Sequence, residues 1–152
     1  MIVKVCEENL PSAAEIHSRA WQESHASFCS EEFIKLHSVA HQEAYLRQEI
    51  RDGKQLYMLI REIPVGIVSV RDSLIENLYV LPEQQNRGCG TELLLFAIAR
   101  CGGNPRLWIL DNNVRAQALY ERHGFRLTGN KSPITEQLYE LEMELRPPIQ
   151  AK

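Results

Sequence analysis

An α+β domain is the fold class this sequence predicts: one core, with a mixed but mostly antiparallel central sheet flanked by helices. Three observations carry that expectation. Between residues 56 and 80, three β-rich runs (56–61, 65–71 and 74–80) are joined by the short links Glu62-Ile63-Pro64 and Asp72-Ser73, the pattern of an antiparallel meander. After residue 80 the order turns to alternating helix and strand. The chain has 152 residues, 44% hydrophobic and 24% charged, which suits a single domain able to bury a core without disulfides or structural metal.

Residues 2–6 read as a short strand. A helix follows from near Pro11, whose ring is preorganised for a first helical turn, and Ile16, Ala20 and Trp21 form its apolar stripe. A second helical region spans residues 30–51, broken near Ser38, which can cap a helix ending before Gly53. Beyond the meander come a glycine-containing loop, a helix over 90–100, a break at Gly102-Gly103, a strand over 106–110 and a helix over 112–123 closed by Gly124. Residues 125–128 start another strand, and the alternation over 137–145 makes that run its hairpin partner. Residues 129–136 are the least patterned stretch and the candidate substrate loop. The expected domain is 1–146, followed by a short tail, 147–152, that begins with Pro147-Pro148.

No apolar run approaches the ~20 residues of a membrane helix, and the N-terminal residues lack signal-peptide features, so the expected location is cytoplasmic, with no membrane partner. Cys6, Cys29, Cys89 and Cys101 form no C-x-x-C pair, and no disulfide is expected. His17, His25, His37, His41 and His123 form no H-E-x-x-H, and His25 with Cys29 is a lone i,i+4 pair, so no metal is expected. A net charge of −3 gives no broad basic footprint. Nucleic acid is therefore not an expected partner, and an anionic ligand would need a local site built from backbone.

Such a site is present in pattern. The segment from Val80 to Gly90, V-L-P-E-Q-Q-N-R-G-C-G, leaves a strand and enters an apolar-periodic helix through two glycines. Gly88 and Gly90 lack a Cβ and let a pyrophosphate approach the main chain, the helix dipole favours an anion there, and Arg87 adds charge at the rim. A plain strand-to-helix turn uses glycine for the same backbone reasons. No G-K-[ST] follows, and Leu93 stands where G-x-G-x-x-G has its third glycine, which sets two nucleotide-binding motifs aside.

The motif V-x-P-x-x-Q-x-x-G-x-G resembles the acyl-CoA signature of the GNAT acetyltransferases, with Val80, Pro82, Gln85, Gly88 and Gly90 matching. Downstream, Asn113, Ala116, Leu119-Tyr120 and Gly124-Phe125 resemble the second motif of that superfamily at the expected distance. The resemblance implies an acetyl-CoA-dependent N-acetyltransferase whose sheet splays at the acyl-CoA site. Leu78, Tyr79 and Val80 would then line the pantetheine slot, with a backbone N–H polarising the thioester. It also implies CoA contacts from Gln85, Asn86, Arg87, Gly88, Cys89, Gly90, Thr91, Asn113, Ala116 and Tyr120.

The implied reaction is direct attack of an amine in a ternary complex, with no acyl-enzyme, so Cys89 is a loop residue rather than a nucleophile. Tyr120 occupies the family's general-acid position; a core aromatic is the other reading of a Leu-Tyr pair on an amphipathic helix. Asn113 is a helix cap, with Asp111 and Asn112 as rivals, and by resemblance also a CoA contact. Glu76 is the first candidate base, two residues before the slot and on the face shared by Leu78 and Val80; a structural acceptor is the competing role. By the same resemblance Trp21, Glu23 and His25 would wall the acceptor site. The acceptor is expected to be a small-molecule or peptide amine and the protein a monomer or homodimer. A noncatalytic acyl-CoA-binding module on the same fold is the alternative function.

Overall fold

The computed structural model describes residues 1–26 and 30–146. Cys29, with its spacing to His25, and the 147–152 tail lie outside the described residues. The elements run β1 (Ile2–Lys4), α1 (Leu10–His25), α2 (Glu31–Lys35), α3 (Val39–Arg51), β2 (Gln55–Ile60), β3 (Pro64–Arg71) and β4 (Leu74–Val80). A 3-10 turn at Pro82–Gln84 then leads to α4 (Cys89–Arg100), β5 (Arg106–Leu110), α5 (Val114–Arg122), β6 (Arg126–Pro133) and β7 (Tyr139–Glu144). One seven-stranded sheet has the order β1-β2-β3-β4-β5-β7-β6. All neighbours are antiparallel except β4 and β5, which run parallel and pair only at Leu74 with Arg106.

Helices cover both faces of the sheet. On one face Leu93, Leu94 and Ala97 of α4 and Tyr120 of α5 pack with Val68, Val70, Ile75, Leu107, Ile109 and Met143. A Cβ on Gly66 would lie 2.7 Å from Leu93 Cδ1, so the bare glycine sets how closely α4 approaches β3. On the other face Leu10, Ala13 and Ala14 of α1 and Leu46 of α3 pack on Leu56, Met58 and Ile67. Among the described residues no helix is long and apolar enough to cross a membrane.

Local chemistry explains the boundaries. Pro11 sits in the first turn of α1. Ser38 Oγ accepts from His41 N at 3.2 Å and starts α3. Asn113 Oδ1 accepts from Ala116 N at 3.1 Å, so Asn113, rather than Asp111 or Asn112, caps α5, and the helix begins later than the expected residue 112.

Two expectations are corrected. Residues 129–133 belong to β6 and are not loop: the register with β7 shifts between Leu127 and Lys131, and the extra residues interrupt the alternation that marks a strand. Thr128 Oγ1 and Asn130 Nδ2 donate to Glu142 at 2.9 and 3.0 Å and pin that irregularity. The second correction concerns Glu76. Ile67 pairs with Tyr79 but Ser69 pairs with Glu76, so Val68 faces two residues, and Asn77 sits in this bulge at φ 52°. The alternation restarts after it. Leu78 and Val80 pack toward the α4 side, while Tyr79 packs toward α1 and α3. Glu76 shares the Tyr79 face, not that of Leu78 and Val80.

Beneath Tyr79 lies His17 of α1, 4% exposed, with ring centroids 4.8 Å apart and Nδ1 without a partner among the described residues. Burial, with smaller contributions from the charges of His37 and Lys54, lowers its pKa from 6.5 to about 4. Between those values the unfolded chain carries the extra proton, so stability is full above about pH 6.5 and is lost as pH falls toward 4. Urea melts across that window are expected to show a shallower loss in His17→Leu than in the wild type. Equal slopes would remove His17 from the acid response.

Candidate active site

The parting of β4 from β5 opens a cleft of about 900 Å³ that reaches from the start of α4 across the sheet to α1. Below Leu74 and Arg106 the two strands no longer bond to each other, so their inward-facing amides and carbonyls are free to pair with a guest chain. A cavity of this size fits an extended cosubstrate.

At one end stands the glycine turn. Gln85 Nε2 donates to Val80 O at 3.1 Å and folds the loop back onto the end of β4. Asn86 at φ 64° and Gly88 at φ 82° then place two left-handed residues before α4. The first amides of α4 have no intrahelical acceptor, and at the positive end of the helix dipole such amides can receive an anion. Arg115 of α5 donates to Asn86 Oδ1 at 3.0 Å and ties the loop to the second motif.

Leu78, Tyr79, Val80, Gln85, Asn86, Gly88, Gly90, Thr91, Asn113, Ala116, Tyr120 and Glu76 all line the cleft. Two sequence-identified residues do not. Arg87 is exposed outside it. Cys89, the first residue of α4, turns its side chain into the core at 3% exposure, so only its backbone is near the glycine turn.

Tyr120 projects from α5 at the middle of the cleft. Its ring is 8% exposed and lies 5.9 Å from that of Phe125. Burial pushes its phenol well above the ordinary range, and among the described residues no hydrogen bond engages the hydroxyl. The result is a protonated donor available to a guest.

The opposite end is acidic and aromatic. Behind its lining, Lys54, 5% exposed, pairs with Glu49 at 2.6 Å and with the cleft-lining Glu76 at 3.4 Å. Tyr45 beside them is pushed up to about 12, by burial first and then by the charges of Glu49 and Glu76. Trp21, Glu23 and His25 line this end from α1, as does Glu140 from β7. Trp21 is sandwiched between His25, centroids 3.9 Å apart, and His37, at 3.5 Å. His25 Nδ1 lies 2.8 Å from Trp21 O, and burial lowers its pKa, opposed in part by that hydrogen bond.

Lys54, Arg115 and Glu140 escape the sequence reading. Arg115 lies inside the second motif and could have been weighed from its spacing. Glu140 belongs to the acidic row Glu140, Glu142, Glu144 of an alternating strand, which reads as a solvated face until β7 is known to lie beside β5.

This architecture is the GNAT fold. The structure is similar to PaiA N-acetyltransferase from Thermoplasma acidophilum in complex with coenzyme A, with TM-score 0.71 at 20% identity over 93% of this chain and 96% of that one. It is also similar to a GCN5-related N-acetyltransferase from Rhodopseudomonas palustris, with TM-score 0.74 at 22% identity over 95% and 94%. YncA from Salmonella typhimurium with its cofactor acetyl-CoA gives 0.70 at 19% identity over 100% and 96%. No curated protein matches the sequence. Residues 51–127, half of the chain, match the family model described as an acetyltransferase (GNAT) domain, and the chain belongs to that family.

Proposed function

We propose that the protein transfers the acetyl group of acetyl-CoA to a primary amine by direct attack in a ternary complex. The observation that carries this reading is the continuity of one cleft from the glycine turn, past the buried phenol of Tyr120, to an acidic end. In this reading the turn from Gln85 to Thr91 holds the pyrophosphate, and the free edge from Leu78 to Val80 pairs the pantetheine arm. Asn113 and Ala116 flank that arm. A backbone N–H of β4 polarises the thioester carbonyl.

Tyr120 donates its proton to the departing thiolate, and the acidic end receives the amine. Trp21, Glu23 and His25 form part of the acceptor wall. Glu76, the base named from sequence, is held by the Lys54 ammonium and enters as a charged partner of the amine. Acetyl-CoA with a panel of primary amines, scored by thiol release, tests the function. Release with at least one amine is expected. Tight acetyl-CoA binding without release across the panel would instead indicate a noncatalytic acyl-CoA-binding module.

A further inference from the structure

We propose that Glu140 is the carboxylate that binds the acceptor as its ammonium ion and takes its proton, selecting amines that carry no carboxylate beside the reacting nitrogen. The proposal rests on the acetyl-transfer reading and assigns its acceptor half.

The three acidic residues of β7 differ in what they bond. Glu142 is occupied by Thr128, Asn130 and Arg106, and Glu144 by Arg146. Glu140 is half-buried and lines the cleft with Tyr120 and Glu76; its backbone pairs in the sheet, but among the described residues its carboxylate has neither a hydrogen bond nor an ion pair. A half-buried carboxylate left without a donor is costly, and a cationic guest relieves that cost. Glu76 is already answered by Lys54, so Glu140 has the unused acceptor capacity.

The charge distribution agrees. Glu23, Glu76 and Glu140 face this part of the cleft against one arginine, Arg122, whereas Arg115 is held at the glycine turn by Asn86. An ammonium is drawn to the acidic end and a carboxylate is repelled from it. Burial, and then the charge of Glu76, raise the pKa of Glu140, which narrows its gap to an alkylammonium.

In the step itself the ammonium gives one proton to Glu140, which later releases it to water. The freed nitrogen lone pair forms the C–N bond, and the C–S bond breaks with its electrons on sulfur. Tyr120 protonates the sulfur and is reprotonated by the second proton that nitrogen loses. One amide, one thiol and one released proton balance one ammonium and one thioester.

Pentylamine and its carboxylated counterpart norleucine are the probes. In calorimetry on the protein loaded with CoA, pentylamine is expected to bind, norleucine at least about tenfold more weakly, and Glu140→Gln to lose about tenfold in pentylamine affinity with CoA affinity unchanged. Glu140→Asp, which keeps the charge, should retain part of it. In thiol-release kinetics from about pH 6 to about pH 9, Glu140→Gln should lower kcat/KM about 10²-fold near neutrality. The deficit should shrink as pH approaches the amine's own pKa.

The other titratable or charged groups lining this part of the cleft are Glu76, Tyr79, Tyr120, Arg122, Glu23 and His25. Glu76→Gln is expected to weaken the amine while leaving the shape of the pH profile in place. Wild-type pentylamine affinity in Glu140→Gln, or loss of the acidic limb in Glu76→Gln instead, overturns the proposal. Absence of thiol release from every amine overturns the transfer reading alone, because the binding experiment still decides the ammonium site.

Discussion

Tyr120→Phe is expected to lower kcat about 10²-fold, the usual cost of a lost general acid, while acetyl-CoA affinity and melting temperature stay close to wild type. The substitution removes one hydroxyl and keeps the ring that packs on Phe125. Because that hydroxyl has no partner among the described residues, its loss breaks no hydrogen bond of the fold and leaves no orphaned group behind. Burial holds the phenol protonated throughout the physiological range, as a donor to a thiolate requires. Steady-state kinetics and a thermal melt on one preparation separate catalysis from packing. Unchanged kcat would leave Tyr120 as a core aromatic.

Gly88→Val is expected to weaken acetyl-CoA binding by about 10²-fold, measured by calorimetry on the folded variant. Gly88 adopts φ 82°, where a β-branched residue costs of order 1–3 kcal/mol. Apart from its chain neighbours, no atom of the described residues lies within 4 Å of a Cβ built there, so the added side chain meets solvent, or a pyrophosphate, and not the core. The fold can relieve the strain by rotating the turn, but rotation moves the first amides of α4 off their common aim, and each 1.4 kcal/mol lost there is tenfold in affinity. Wild-type affinity would remove this turn from the phosphate site.

The meander, the glycine turn and the two helices after it were legible because each has a local cause: alternation with short links, glycine at a left-handed position, and a capping Asn113. What failed was non-local. The Asn77 bulge is one residue whose effect appears only in register with β3, and it turned Glu76 to the opposite face from the one alternation implies. The first half of β6 is legible as a strand, but its continuation over 129–133 is hidden because the irregular bonding to Glu142 lies across a hairpin. Nothing local separates Glu140 from Glu142 and Glu144; only the sheet order, with β7 next to β5 on the far side of the opening, does. Lys54, between Gly53 and a strand, carries no local signal of burial, yet it is among the most buried charges described.

Because β4 and β5 share a single ladder pair, the sheet is two half-sheets whose alignment comes mainly from the side chains above it. Ile75 from one half and Leu107, Ile109 and Met143 from the other meet in the same apolar layer beneath α4 and α5. Cooperative folding of the two halves therefore passes through greasy contacts and not through the hydrogen-bond lattice. The gap can stay open without dividing the molecule into separately melting parts.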